Sequence, residues 1–204
     1  MIVRYILLIK IIVGALILLI ANKSNSQVDP SWLKSWNEAV YMQPKNISSK
    51  SIIVSKEEPG IPFVIIGQIF KPDGRTKAKS VLIHIYHRDH EGFDFGQNDN
   101  FLTTWRLQGW AKTNTEGKFE FRTIRPAPDH LGREGSHIHF TIVSEDFGNQ
   151  WAPKIHFLDD ASIADKEKKE SEEAGQFAWL KEVKNIDGIQ HIEVKIKLKE
   201  KADF

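Results

Sequence analysis

The residues best suited to chemistry in this chain are His137 and His139, separated by one isoleucine. They lie in Ser136-His-Ile-His-Phe-Thr-Ile-Val143, an alternating run that predicts a strand. On a strand, side chains two positions apart share a face and sit ~6.6 Å apart along the backbone. Two imidazoles so placed can converge on one metal ion through bonds of ~2.0–2.1 Å, while Ile138 and Phe140 turn to the opposite, apolar face. An isolated His-x-His is more often a pair of histidines on a polar sheet face, so the neighbours decide. Seven of the eight histidines fall between positions 84 and 156; His84, His87, His90, His130 and His156 flank the pair. Two loops lie ahead of it in sequence, His90-Glu-Gly-Phe-Asp-Phe95 and Pro126-Ala-Pro-Asp-His130. Loops at strand ends are where a rigid sandwich carries function. Asp94 and Asp129 could add oxygen ligands there, and His90 and His130 further nitrogens. The commoner role of such loop residues is to face solvent.

Other chemistries are missing from the pattern. The chain has no cysteine, which excludes thiol nucleophiles, disulfide scaffolds and Cys-ligated zinc or iron–sulfur sites. His87-Arg88-Asp89 matches a kinase catalytic triplet, but no Gly-rich loop or downstream Asn accompanies it. Gly-x-Ser-x-Gly, His-Glu-x-x-His and phosphate-binding glycine loops do not occur.

The elements that must position these residues read mostly as strands. Phe63–Phe70 runs into the turn Lys71-Pro-Asp-Gly74, and Val81–Tyr86 sets Leu82, His84 and Tyr86 on one face. Lys118–Ile124 alternates after the turn Thr113–Gly117, Pro153–Phe157 is a short strand, and His191–Leu198 closes the domain. Ala161–Ala174 is a charged surface helix, and Gln27–Ile61 reads as a short helix with an irregular lead-in. Trp105 and Trp110 could line a ligand surface, although tryptophans at such positions are more often packing residues. Short strands, frequent turns and little helix predict a mainly β protein, an antiparallel β-sandwich with one short surface helix near the C-terminus.

With 204 residues, 41% hydrophobic and 27% charged, the chain has the profile of one folded domain. Met1–Ser26 has the charged, apolar, then polar order of a signal peptide, with a cut expected before Gln27. The other reading of Ile2–Ala21 is an uncleaved membrane anchor, at ~20 residues long enough to span a bilayer. The expected organisation is therefore 1–26 signal peptide, 27–61 N-terminal lead-in and 62–204 β-sandwich, in a secreted or periplasmic protein. Removing Arg4, Lys10 and Lys23 turns a net charge of +1 into −2, with 25 basic against 27 acidic residues. That balance argues against a nucleic-acid partner, and a membrane partner enters only if the leader stays. Whether the chain forms homo-oligomers is open.

In this order the segments resemble the intradiol ring-cleavage dioxygenases, the catechol and protocatechuate dioxygenase family. The resemblance runs from about Gly67 to Asp160. Gly67-Gln-Ile-Phe-Lys-Pro-Asp-Gly74 resembles the family's opening strand and turn, and Val81-Leu-Ile-His-Ile-Tyr-His-Arg-Asp-His-Glu-Gly92 its strand, aromatic and polar loop. The stretch Gly109–Pro128 is similar to the one before the second metal loop, and His137-Ile-His-Phe140 to the two iron-binding histidines. Pro153-Lys-Ile-His-Phe-Leu-Asp-Asp160 resembles the strand beyond.

The resemblance implies non-haem iron, Fe3+ in the family, held by two histidines and two tyrosinates, and oxidative cleavage of a small aromatic, catechol-like substrate. Here the tyrosine positions fall on Asp94 and Asp129. The implied metal ligands are then His137, His139, Asp94 and Asp129, a set that also suits Fe2+ or Zn2+. The family's arginine three residues before the first histidine falls at Glu134, with Arg133 beside it as the catalytic candidate by a one-residue slip. The expected function is an exported non-haem iron dioxygenase, favoured as an oxidoreductase. The alternatives are another metal-assisted enzyme, hydrolytic or eliminative, on the same scaffold, and a non-catalytic ligand-binding sandwich.

Overall fold

The computed structural model describes residues 28–96 and 102–204. The predicted signal peptide 1–26 lies outside the described residues. Contacts divide the chain after Leu33, and the body Lys34–Phe204 carries the sandwich. Ahead of that division Asp29 opens the first helix: its Oδ1 accepts Ser31 N at 2.7 Å and Trp32 N at 3.4 Å, with Pro30 in the first turn. That is a helix N-cap, with proline where its missing N–H costs nothing.

The elements in chain order are α1 (Pro30–Tyr41), β1 (Lys50–Ile52), β2 (Pro62–Phe70), β3 (Leu82–His87), β4 (Leu107–Lys112), β5 (Lys118–Ile124) and β6 (His137–Ser144). They continue with β7 (Gly148–Trp151), β8 (Ile155–Phe157), α2 (Asp165–Glu173), a 3-10 turn (Gly175–Phe177), β9 (Leu180–Lys181), β10 (Lys184–Ile186) and β11 (Ile189–Lys197). One sheet has the order β1-β5-β2-β11-β10, the other β4-β3-β6-β8-β9, with β7 paired to β6.

Two-residue alternation builds the layer between them. On β11, Ile192, Val194 and Ile196 are buried while Glu193, Lys195 and Lys197 face out. On β6, Ile138, Phe140 and Ile142 enter the core, which turns His137, His139 and Thr141 to the other face. Phe63, Ile65, Ile83, Ile85, Phe119, Phe121 and Phe157 complete one core shared by both sheets. Each such side chain contributes roughly 1.5–3 kcal/mol on burial.

The sandwich is not wholly antiparallel: β1 runs parallel to β5, β11 to β2 and β8 to β9. The closing strand returns alongside the opening one in the same direction, a long-range pairing that no local pattern encodes. β1 lies inside the stretch read as irregular, because three residues are too few to show a period. β4 also escaped the reading; Gly109 interrupts its alternation. A Cβ at Gly109 would meet Ile53 Cγ1 at 2.7 Å, so the glycine marks where the segment after β1 crosses the strand. Trp105 and Trp110, each 6% exposed, are packing residues here.

Candidate metal centre

The histidine pair sits at the start of β6, on the face of its sheet away from the core. β3 and β8 flank it, and the register sets Tyr86 opposite His139 and His156 opposite His137. The Tyr86 ring stacks on His139 at 4.3 Å with 6° between planes, and Trp105 stacks on the other side of Tyr86 at 3.7 Å. On the same face Trp36 of α1 packs edge-on against His84 at 5.6 Å, and Thr104 Oγ1 donates to Ser35 O at 2.8 Å. The helix thus covers the sheet beside the pair.

His137 Nε2 and His139 Nε2 are 2.9 Å apart, and His137 Nδ1 lies 2.8 Å from Gly135 O. A carbonyl oxygen only accepts, so His137 carries its proton on Nδ1 and Nε2 presents a bare lone pair toward His139. Burial keeps both rings neutral, pushing His137 down to about 4 and His139 to about 2, with the neighbouring His137 adding to the second shift. Two bonds of ~2.05 Å meeting near a right angle place their nitrogens ~2.9 Å apart, so this spacing matches two adjacent positions around one metal ion. The carbonyl behind His137 is the outer partner that fixes the ring of a ligating histidine.

Two loops frame the pair. Asp89, 4% exposed, organises the first: its Oδ1 accepts the Glu91 and Phe93 amides at 3.0 Å each. Its Oδ2 takes Arg106 Nη2 at 3.3 Å, and its carbonyl accepts Ala127 N from the second loop at 3.1 Å. Gly92, at φ 91°, is where the loops touch; a Cβ there would stand 2.3 Å from Pro128 O. Phe93 stacks on His130 at 4.2 Å, which ties the loops together again.

A chain of charge runs between the loops and the pair. Glu134 Oε2 is 3.8 Å from His137 Nε2 and accepts from Arg88 Nη2 at 2.9 Å, while its Oε1 accepts from Lys154 Nζ at 2.8 Å. Lys154 first, then Arg88, hold the Glu134 carboxyl down at about 2. Arg88 Nε reaches Asp94 Oδ2 at 3.3 Å, and among the described residues its buried Nη1 has no hydrogen-bond acceptor. Burial pushes the Asp94 carboxyl up despite the guanidinium beside it. Asp129 pairs with Arg133, whose Nε and backbone N lie 3.0 and 3.2 Å from Oδ2 and hold its carboxyl low.

The four expected ligands therefore divide. His137 and His139 face each other, whereas Asp94 answers Arg88 and Asp129 answers Arg133. Among the described residues, no three or more His, Asp or Glu side chains are grouped closely enough to hold a metal ion as they stand. Arg133 is largely exposed on Asp129, and Arg88 is the arginine beside Glu134. The sequence assigns no site role to Arg88, which lies in the kinase-like triplet, and places Glu134 only at the position of the family's arginine. The available signals were that Arg88 directly follows the strand carrying His84 and Tyr86 and that Glu134 stands three residues before His137.

Non-haem iron is the cofactor the resemblance implies, and the two converging imidazoles fit it. The phenolate half of that centre does not fit. The chain has three tyrosines: Tyr5 lies outside the described residues, Tyr41 is 86% exposed on α1, and Tyr86 lies flat on His139.

Comparison with known proteins adds ancestry to this geometry. The family model described as Dioxygenase matches residues 39–174. The chain is 29% identical over 106 residues to catechol 1,2-dioxygenase 2 of Acinetobacter lwoffii, covering 44% of this chain and 38% of that protein. It is 30% identical over 112 residues to catechol 1,2-dioxygenase 1 of the same organism, covering 46% and 35%. The matched stretch thus spans little more than a third of either relative. In structure the chain is similar to 3-chlorocatechol 1,2-dioxygenase from Rhodococcus opacus 1CP, with TM-score 0.56, 17% identity, and coverage of 92% of this chain and 96% of that one.

Proposed function

This chain belongs to the intradiol ring-cleavage dioxygenase family, and on that premise we propose that it is an exported, iron-dependent dioxygenase of a catechol-type aromatic. The observation that carries the proposal is the 2.9 Å approach of two neutral imidazoles whose Nε2 atoms face each other. Both relatives named above are catechol 1,2-dioxygenases, which supports the substrate class. The leader-like order of residues 1–26 supports export.

Iron, when bound, supplies affinity for two adjacent hydroxyl oxygens and the means for oxygen to react with the ring. The rest falls to this chain. His137 and His139 hold the ion, and the Gly135 carbonyl keeps the first of them in the right tautomer. Asp94, its carboxyl pushed up by burial, can take a proton from an incoming hydroxyl. Arg88, whose Nε and Nη2 are taken by Asp94 and Glu134, has Nη1 left to donate to a deprotonated hydroxyl. Phe95 and Leu131, exposed on the two loops, offer apolar surface to the ring.

The test is oxygen uptake by iron-loaded protein with catechol. The proposal expects one ring-opened dicarboxylic acid per oxygen consumed, carrying both oxygen atoms. Bound metal without uptake would remove it. Aspartates at the two positions that resemble the family's tyrosines favour a second reading, a divalent ion that activates water for hydrolysis or elimination. Zinc retained in place of iron, with no oxygen uptake, would select that reading.

A further inference from the structure

Resting on the reading that the histidine pair holds a metal, we infer that Glu134 is the third protein ligand and that Asp94 and Asp129 stay outside the coordination sphere. Donors bound at ~2.0–2.2 Å to one ion lie at most ~4.2 Å apart. The 2.9 Å between His137 Nε2 and His139 Nε2 and the 3.8 Å between His137 Nε2 and Glu134 Oε2 both fall within that limit. Asp94 and Asp129 turn their carboxylates to Arg88 and Arg133 instead.

The surroundings of Glu134 suit a ligand. A carboxylate has about four lone-pair sites, and each of its oxygens here accepts one cationic donor, Lys154 at Oε1 and Arg88 at Oε2. Such donors orient a ligating carboxylate without exhausting it. The Glu134 side chain is 44% exposed, which leaves room for the short swing that joins it to both imidazoles. Charge agrees. Two imidazoles and one carboxylate leave +1 on a divalent ion, the net charge that two phenolates leave on a trivalent one. Losing both tyrosines while gaining Glu134 therefore moves the site from Fe3+ toward Fe2+ and other dications.

The experiment titrates Co2+ alone into the full chain and follows the visible d–d bands, with affinity measured by chelator competition. Wild type is set beside Glu134→Gln, Asp94→Asn, Asp129→Asn, His156→Gln and the double variant His137→Ala/His139→Ala. Glu134→Gln is expected to weaken binding more than ~100-fold, beyond the ~10–100-fold that loss of an orienting partner costs, and to change the d–d bands. Asp94→Asn and Asp129→Asn keep the wild-type spectrum and affinity within about tenfold. Glu134→Gln with wild-type affinity and bands would overturn the inference, as would finding the large loss in an aspartate variant or in His156→Gln. If Glu134→Gln fails to fold, Glu134→Asp carries the same test, because it keeps the charge and retracts the oxygens. Co2+ binding that ignores His137 and His139 would sink the parent reading, and this inference with it.

Discussion

At the scale of single residues, the centre depends on where protons sit. The Gly135 carbonyl forces the His137 proton onto Nδ1, and burial keeps a second proton off. At any pH well above 4, Nε2 is therefore an unprotonated acceptor, taking a hydrogen bond from His139 Nε2 until a metal replaces that proton. Tyr86, flat against His139, fixes the plane of the second ring. A metal that binds only the folded chain raises its stability by mass action. Added iron or cobalt should therefore raise the melting temperature of the wild type, and His137→Ala or His139→Ala should each abolish the rise. An undiminished rise in either variant would put the metal elsewhere. The histidines were legible in the sequence because period-two spacing on a strand is a strong local signal. The roles of Asp94 and Asp129 were not legible. Which arginine answers which carboxylate depends on side-chain reach across two loops, and spacing along one chain does not report it.

At the scale of elements, β6 does two jobs on its two faces. Ile138, Phe140 and Ile142 anchor it in the core, and that anchoring holds the histidines in register against β3 and β8. Phe140→Ala should cost about 3–5 kcal/mol in chemical denaturation. A loss below about 1 kcal/mol would mean the strand is not fixed from its apolar side. The loops depend on Gly92, where φ is 91° and a side chain would strike the Pro128 carbonyl and the His130 amide. Gly92→Ala should destabilise the fold by about 1–3 kcal/mol through backbone strain alone. It should also release the stack of Phe93 on His130, visible as greater amide exchange in both loops. Unchanged exchange would show that the loops are held apart from this contact. The long strands β5, β6 and β11 were readable from alternation, and β2 from its apolar run before a Pro-Asp-Gly turn. The short ones, β1, β9 and β10, have two or three residues each and take their extended form from the neighbour they pair with.

At the scale of the whole molecule, fold class followed from composition and strand period, but the parallel pairing of β2 with β11 did not. Contact between residues more than a hundred positions apart is a property of the assembled core. Two further histidines make that assembly sensitive to acid. Burial holds His84 and His87 near 4, against an ordinary value of 6.5. As pH falls from 6.5 to 4 the unfolded chain takes up these protons and the folded chain does not, so stability drops across that window and is fully present above it. Melting temperature should fall between pH 6.5 and 4, less steeply in His84→Asn, whose amide does not titrate. A flat profile would mean the rings are charged in the folded state. Whether the two histidines hold a metal is decided by the metal content of the purified protein, measured beside a His137→Ala/His139→Ala variant. The wild type should carry roughly one metal ion per chain and the variant none. Equal metal in both proteins, or none in either after loading with iron and with zinc, would contradict it.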